Sequence, residues 1–239
     1  MDARFEVFGF AGLHVLTNRT SAEETSKGYS IATNLGTRGV ASAFVDMRSH
    51  SEVYGTLAGE TARPESYRAE IWRNGSDRDY EVKYQSDGSV INAGRLPPSE
   101  RAYLEGIQLR GTVDQLTAYF LLERQLARRG SCNLDVPVFD GSELYRLRFS
   151  DVKEETLAAD DHQKFAGPTL VCAVVRDMIV ANPDRKLSTY DKGRLWYARV
   201  LPGGRAVPVR MEYETPFGTV SAYLAELTGY GIHLALMEE

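Results

Sequence analysis

Along most of the chain, apolar and polar side chains alternate with a period of two. Tyr145-Arg146-Leu147-Arg148-Phe149 does so without a fault, and so do Val207, Val209, Met211 and Tyr213 interleaved with Pro208, Arg210, Glu212 and Glu214. Tyr80, Val82 and Tyr84 around Glu81 and Lys83 repeat the pattern. Successive side chains of a strand point to opposite faces, so each segment reads as a half-buried antiparallel strand. Weaker versions occupy 3–10, 12–18, 28–36, 50–59, 65–73, 89–93, 134–139, 168–180, 193–200 and 217–227. Asn74-Gly75, Asp87-Gly88, Asp140-Gly141 and Pro202-Gly203-Gly204 punctuate them with residues that tolerate positive φ.

One segment breaks the alternation. Thr112-Val113-Asp114-Gln115 has the form of a capping box, in which Thr112 accepts from an early backbone N–H and Gln115 reaches back. Behind it run Leu116, Tyr119, Phe120 and Leu126, then Arg124, Arg128 and Arg129 toward the negative end of the dipole, with a stop at Gly130. The pattern predicts a helix over 112–129. A second short helical turn is expected at 38–47. Residues 94–111, with Pro97-Pro98, read as a loop, and residues 151–167 as an exposed connection.

These elements predict one mainly-β domain spanning 1–239: a curled antiparallel sheet, or incomplete β-barrel or spiral, of about a dozen strands with one helix packed on its concave side. No repeat or linker composition marks a boundary. The chain has 239 residues, of which 43% are hydrophobic, enough for a core without metal or many disulfides. Lysine and arginine number 28 against 33 acidic residues, and a net charge of -5 argues against a nucleic-acid partner. No run reaches the roughly 18 apolar residues of a transmembrane segment. Asp2 follows Met1 where an export signal would be basic and then apolar, so the chain is expected to be either cytoplasmic or a mature segment.

Candidate chemistry is sparse. His14, His50, His162 and His233 show no metal-ligand spacing, and the glycine pairs match no nucleotide-binding motif, so no metal and no cofactor is expected. Asp46, Asp114, Asp140 and Asp151 have duller explanations as strand end, helix turn, hairpin and loop than as an acid/base pair. Cys132 and Cys172 leave three readings open: a disulfide between neighbouring strands, two buried thiols, or a nucleophile and a bystander. Tyrosine and tryptophan are frequent on the strands, as in an ordinary aromatic core or in the walls of a cavity for an apolar ligand. For the cavity, Trp72, Tyr145, Trp196 and Tyr213 are the expected lining, with the loop at Pro97-Pro98 and Gly106 as a movable rim.

Several phrases, in order, resemble the bacterial domain-of-unknown-function family 3108. They are Phe5-Glu6-Val7-Phe8-Gly9 with Gly12-Leu13, Tyr29-Ser30-Ile31-Ala32-Thr33, and Gly39-Val40 followed by Asp46 and Ser51-Glu52. Gly55 with Arg63-Pro64, Thr112-Val113-Asp114, Cys132, Val138-Phe139-Asp140-Gly141 and Tyr145-Arg146-Leu147 continue the series. Cys172, Leu195-Trp196, Pro208-Val209-Arg210 and Thr215-Pro216-Phe217-Gly218-Thr219 complete it. The resemblance implies a secreted protein of Gram-negative bacteria, hence a mature periplasmic form, and an oxidising compartment that favours a Cys132–Cys172 bond. It is also similar, at the level of fold, to the incomplete barrels of lipoprotein carriers.

The expected function is therefore a non-enzymatic periplasmic envelope protein binding a lipid, a lipoprotein acyl chain or another apolar ligand. The alternative is an envelope-maintenance scaffold that contacts other envelope proteins through its surface and has a packed interior. An enzyme on an envelope glycan or lipid is the third reading.

Overall fold

A computed structural model of the chain describes residues 1–9, 12–43, 45–59, 61–94, 103–182, 191–215 and 218–238. Seven strands come first: β1 (Asp2–Phe8), β2 (His14–Glu24), β3 (Gly28–Thr37), β4 (Met47–Ala58), β5 (Thr61–Arg73), β6 (Ser76–Tyr84) and the short β7 (Val90–Asn92). Helix α1 (Gln115–Arg129) follows. Seven more strands complete the chain: β8 (Leu134–Phe139), β9 (Leu144–Leu157), β10 (Gly167–Val180), β11 (Lys192–Ala198), β12 (Val207–Thr215), β13 (Gly218–Gly229) and β14 (Ile232–Ala235). All fourteen belong to one antiparallel sheet in the order β7-β6-β5-β4-β3-β2-β1-β13-β12-β11-β10-β9-β8, with β14 on β13.

The order reflects two up-and-down meanders. The first walks away from β1 to the edge at β7; the second starts at the other edge, β8, and walks back until β13 pairs with β1. Sheet twist curls this ribbon until its ends approach. Asn92 Nδ2 donates to the Gly141 carbonyl oxygen at 2.8 Å, and the Tyr103 hydroxyl donates to the Ser142 carbonyl oxygen. Gly141, at φ +91, lies so close to Tyr80 that an added Cβ would stand 2.8 Å from the tyrosine Cβ. The sheet is not closed into a barrel. Instead, Val113 hydrogen-bonds with Pro137 and Phe139 of β8 through its backbone (3.0 and 2.9 Å), which covers part of that edge.

The helix enters from this stub. Asp114, not Thr112, is its N-cap: the Asp114 carboxylate accepts from the Thr117 N–H at 2.9 Å and from the Thr117 hydroxyl at 2.6 Å. Thr112 donates to the Leu109 carbonyl oxygen instead, because Val113 is held in the β8 ladder and the helix cannot start before it. Gly130, left-handed at φ 66, closes the far end.

One other expectation changes, one narrows, and one strand is added. Residues 151–157 are not a connection but the outer half of β9, where Val152, Lys153 and Glu154 are exposed and no buried face imposes alternation. The turn expected at 38–47 is a short 3-10 helix over Gly39–Ala43. Strand β14 carries a weak pattern that the sequence did not reveal.

Cys132 and Cys172 form a disulfide with Cα atoms 5.8 Å apart. It joins the start of β8 to β10, on the far side of β9 rather than on a neighbouring strand. A bulge between Val171 and Cys172 places Cys172 opposite Asp151 of β9. That carboxylate accepts from the Cys132 N–H, the Ser131 hydroxyl and the Asn133 amide (2.7–2.9 Å), pinning the entry to β8.

Candidate functional site

Helix α1 lies within the curl and presents two faces. Ala118, Leu122 and Leu126 are buried in one cluster with Val136, Val138, Tyr145 and Leu147 of β8 and β9. Leu116, Tyr119, Phe120 and Glu123, spaced i, i+3, i+4 and i+7, point the other way. Phe120 stacks on Tyr29 of β3 at 4.7 Å, and the Tyr29 hydroxyl meets the Thr117 hydroxyl at 2.8 Å. Between these contacts a cavity of about 410 Å³ remains, bounded by α1 and the inner face of β1, β2, β3, β12 and β13. Its size falls within the range of about 300–1,000 Å³ typical of ligand pockets. The interior is thus not filled by its own side chains.

Phe5, Val7, Ile31, Leu35, Ala222 and Leu224 form an apolar wall, and Tyr67, Tyr197 and Tyr213 add rings. Polar atoms on it are mostly paired internally: Asn18 donates to Thr33 and accepts from Thr20, and the Tyr119 and Tyr213 hydroxyls meet at 3.3 Å. The mouth lies at Met1, Ala22, Phe120, Glu123 and Val207, which also line an outer cleft of about 190 Å³ containing Arg124, Arg128 and Arg205. There Glu24 accepts from both Arg124 and Arg205, Arg205 (2.9 Å from Glu24) also contacts the Tyr230 hydroxyl, and Arg128 donates to the Gly59 carbonyl oxygen.

Glu123 is half-buried because it borders this void. Among the described residues its carboxyl has no hydrogen-bond or ion-pair partner, and neither does the Tyr197 hydroxyl. Desolvation, opposed by Arg205 and reinforced by Glu24, pushes Glu123 up to about 8. Burial and the nearby Glu123 push Tyr197 well above the usual phenol range. Asp114 is raised to about 6 by burial, against the pull of its Thr117 hydrogen bonds.

Of the four residues expected to line a cavity, the structure brings Tyr213 there and the other three elsewhere. Trp196 does not line the void: its neighbour Tyr197 does, and Trp196 is buried in the cluster with Val171 and Val209. It donates to Glu155 at 3.0 Å under the Arg210 guanidinium. Trp72 is outward, beside Ile71, with Arg48 4.8 Å over its ring in a separate polar cleft. Tyr145 faces inward but is covered by α1, with Arg176 4.0 Å over its ring and its hydroxyl donating weakly to Gln115 at 3.4 Å. In the described part of the 94–111 loop, Leu104, Ile107 and Leu109 pack on the cluster around Tyr80 and Val82 and not at the mouth; Pro97-Pro98 lies outside the described residues.

Glu123 escaped the sequence reading, and Tyr197 stood only among the strand aromatics that could wall a cavity. The signal for Glu123 was present, as a carboxylate at the end of the helix's apolar stripe.

The other candidates hold structural posts. The cysteines are bonded to each other; Asp140 accepts from the Ser142 and Glu143 N–H groups in the β8–β9 turn; Asp46 accompanies Asn74 and Arg48 at the start of β4. His14 pairs with Glu6 and His50 with Asn34, His162 packs on Phe8, and His233 meets Thr228.

A family model described as Protein of unknown function (DUF3108) matches residues 4–225. In three dimensions the chain is similar to a beta-barrel-like protein of Domain of Unknown Function DUF1849 from Brucella abortus, known from its crystal structure. The TM-score is 0.53 at 12% identity, over 93% of this chain and 94% of that one, a likeness of fold. No curated protein matches the chain.

Proposed function

The chain belongs to this family of proteins of unknown function, and we propose that it is a non-enzymatic periplasmic protein that holds an apolar molecule, such as a lipid or a lipoprotein acyl chain, inside its curled sheet. The observation that carries this reading is the 410 Å³ cavity walled by Phe5, Val7, Ile31 and Leu224, with a mouth beside α1. Empty apolar space of that size forfeits packing contacts that a self-sufficient core would make, and a ligand restores them.

One observation supports export. The Cys132–Cys172 disulfide suits an oxidising compartment. Among the described residues no helix is long and apolar enough to cross a membrane. The non-enzymatic part rests on the engagement of Cys132 and Cys172 in a disulfide, of Asp114 in a helix cap and of Asp140 in a turn.

The test is a titration of a fluorescent fatty-acid analogue into the pure protein, followed by fluorescence and by melting temperature, in wild type and in Val220→Trp. Val220 lines the cavity from β13 and is only partly buried, so an indole there fills the space without rebuilding the core. Saturable binding that raises the wild-type melting temperature, and falls at least tenfold in Val220→Trp, is expected. Equal affinity in both proteins would overturn the reading.

A further inference from the structure

The cavity's polar end specifies more than apolarity. Glu123, at the mouth, and the more deeply buried Tyr197 both line the void, each without a hydrogen-bond partner among the described residues. An apolar ligand that fills the void strips these groups of water, and one that supplies a hydrogen-bond partner avoids that cost. Resting on the carrier reading above, we propose that the bound molecule ends in an uncharged oxygen acceptor, a hydroxyl or an ester, held by the O–H groups of Glu123 and Tyr197.

The charges around the site decide among head groups. From β2, Glu24 faces Glu123 with both oxygens engaged by Arg124 of the helix and Arg205 of the loop before β12, and Glu23 lines the same cleft. Arg128 is turned to the Gly59 carbonyl oxygen, Tyr230 to Arg205, and the Met1 amino group to the Ala22 carbonyl oxygen. A carboxylate head would meet Glu24 and Glu123, while Arg124 and Arg205 are paired with Glu24 and the one donor of Arg124 without a partner among the described residues, Nε, is sealed from solvent. An ammonium head would need Glu123 ionised, which burial disfavours: with its carboxyl raised to about 8, Glu123 is mostly a neutral donor at pH 7. A neutral acceptor demands no new charge.

Three probes with the same chain length separate these cases: monolaurin, lauric acid and dodecylamine, each titrated at about pH 6 and about pH 9 into wild type, Glu123→Gln and Tyr197→Phe, with Val220→Trp as the blocked control. Monolaurin is expected to bind wild type best, and to weaken about tenfold between those pH values as Glu123 loses its proton. Glu123→Gln, which still donates an N–H, should keep the binding and lose the pH dependence. Tyr197→Phe should weaken monolaurin severalfold at both pH values. Preference for dodecylamine that tightens with pH and vanishes in Glu123→Gln would overturn the proposal in favour of an ion-pairing carboxylate. Monolaurin binding that ignores pH and both substitutions, yet is abolished by Val220→Trp, would refute the polar anchor and leave the apolar site intact. No binding of any probe would instead remove the carrier reading itself.

Discussion

Asp114 and Glu123 lie at the start and in the middle of one helix, and burial raises both carboxyls, with different consequences. Asp114 is enclosed and bonded to Thr117, so its role is to begin the helix. Its folded pKa of about 6 lies above the roughly 3.9 of an unfolded aspartate, so the folded form binds the proton more tightly. Its contribution to stability is therefore full below about pH 4 and is lost as the pH rises through about 6, to the extent of about 3 kcal/mol. An asparagine in its place would cap the helix without this dependence. Stability curves of wild type and Asp114→Asn, measured by thermal unfolding from about pH 4 to about pH 7, should diverge in favour of the variant as pH rises. Parallel curves would show that Asp114 titrates normally. A sequence displays the cap-forming residues but not the strand pairing of Val113, which decides between Thr112 and Asp114. Residue parity was legible for Trp72: with Tyr67, Ala69 and Ile71 inward, it must point out. Aromaticity alone did not say which face.

Among elements, strands with one buried face announced themselves through alternation, whereas the outer half of β9 and the short β14 did not. Both lie where solvent reaches both sides or the run is too brief for a period to show. The division of the interior by α1 was also illegible, since parity marks a side chain as inward without saying whether it meets the helix or the void; Tyr145 and Tyr213 differ in this alone. The disulfide belongs at this level too. It straps β8 to β10 across β9 and encloses a separation of 40 residues, for which the chain-entropy model gives on the order of 4 kcal/mol, an upper figure. Urea unfolding of Cys132→Ser/Cys172→Ser should show stability lowered by up to that amount, with the cavity and its ligand affinity retained. An unchanged midpoint would mean that the hydrogen bonds to Asp151 already hold the strap in place.

For the chain as one body, the two meanders and the helix between them explain why a cavity exists. The sheet edges β7 and β8 are consecutive in the chain on either side of α1, so the helix must sit at the seam of the curl. There it fills the half of the interior beneath β8 and β9, and leaves the half beneath β1, β12 and β13 open. Everything in the carrier reading turns on whether that open half is occupied in the cell. Native mass spectrometry of the protein, purified without detergent from its own host, measures this directly. Wild type is expected to carry one apolar, oxygen-bearing molecule per chain and Val220→Trp to carry none; wild type emerging at its bare polypeptide mass, and taking up no added lipid, would contradict the carrier reading.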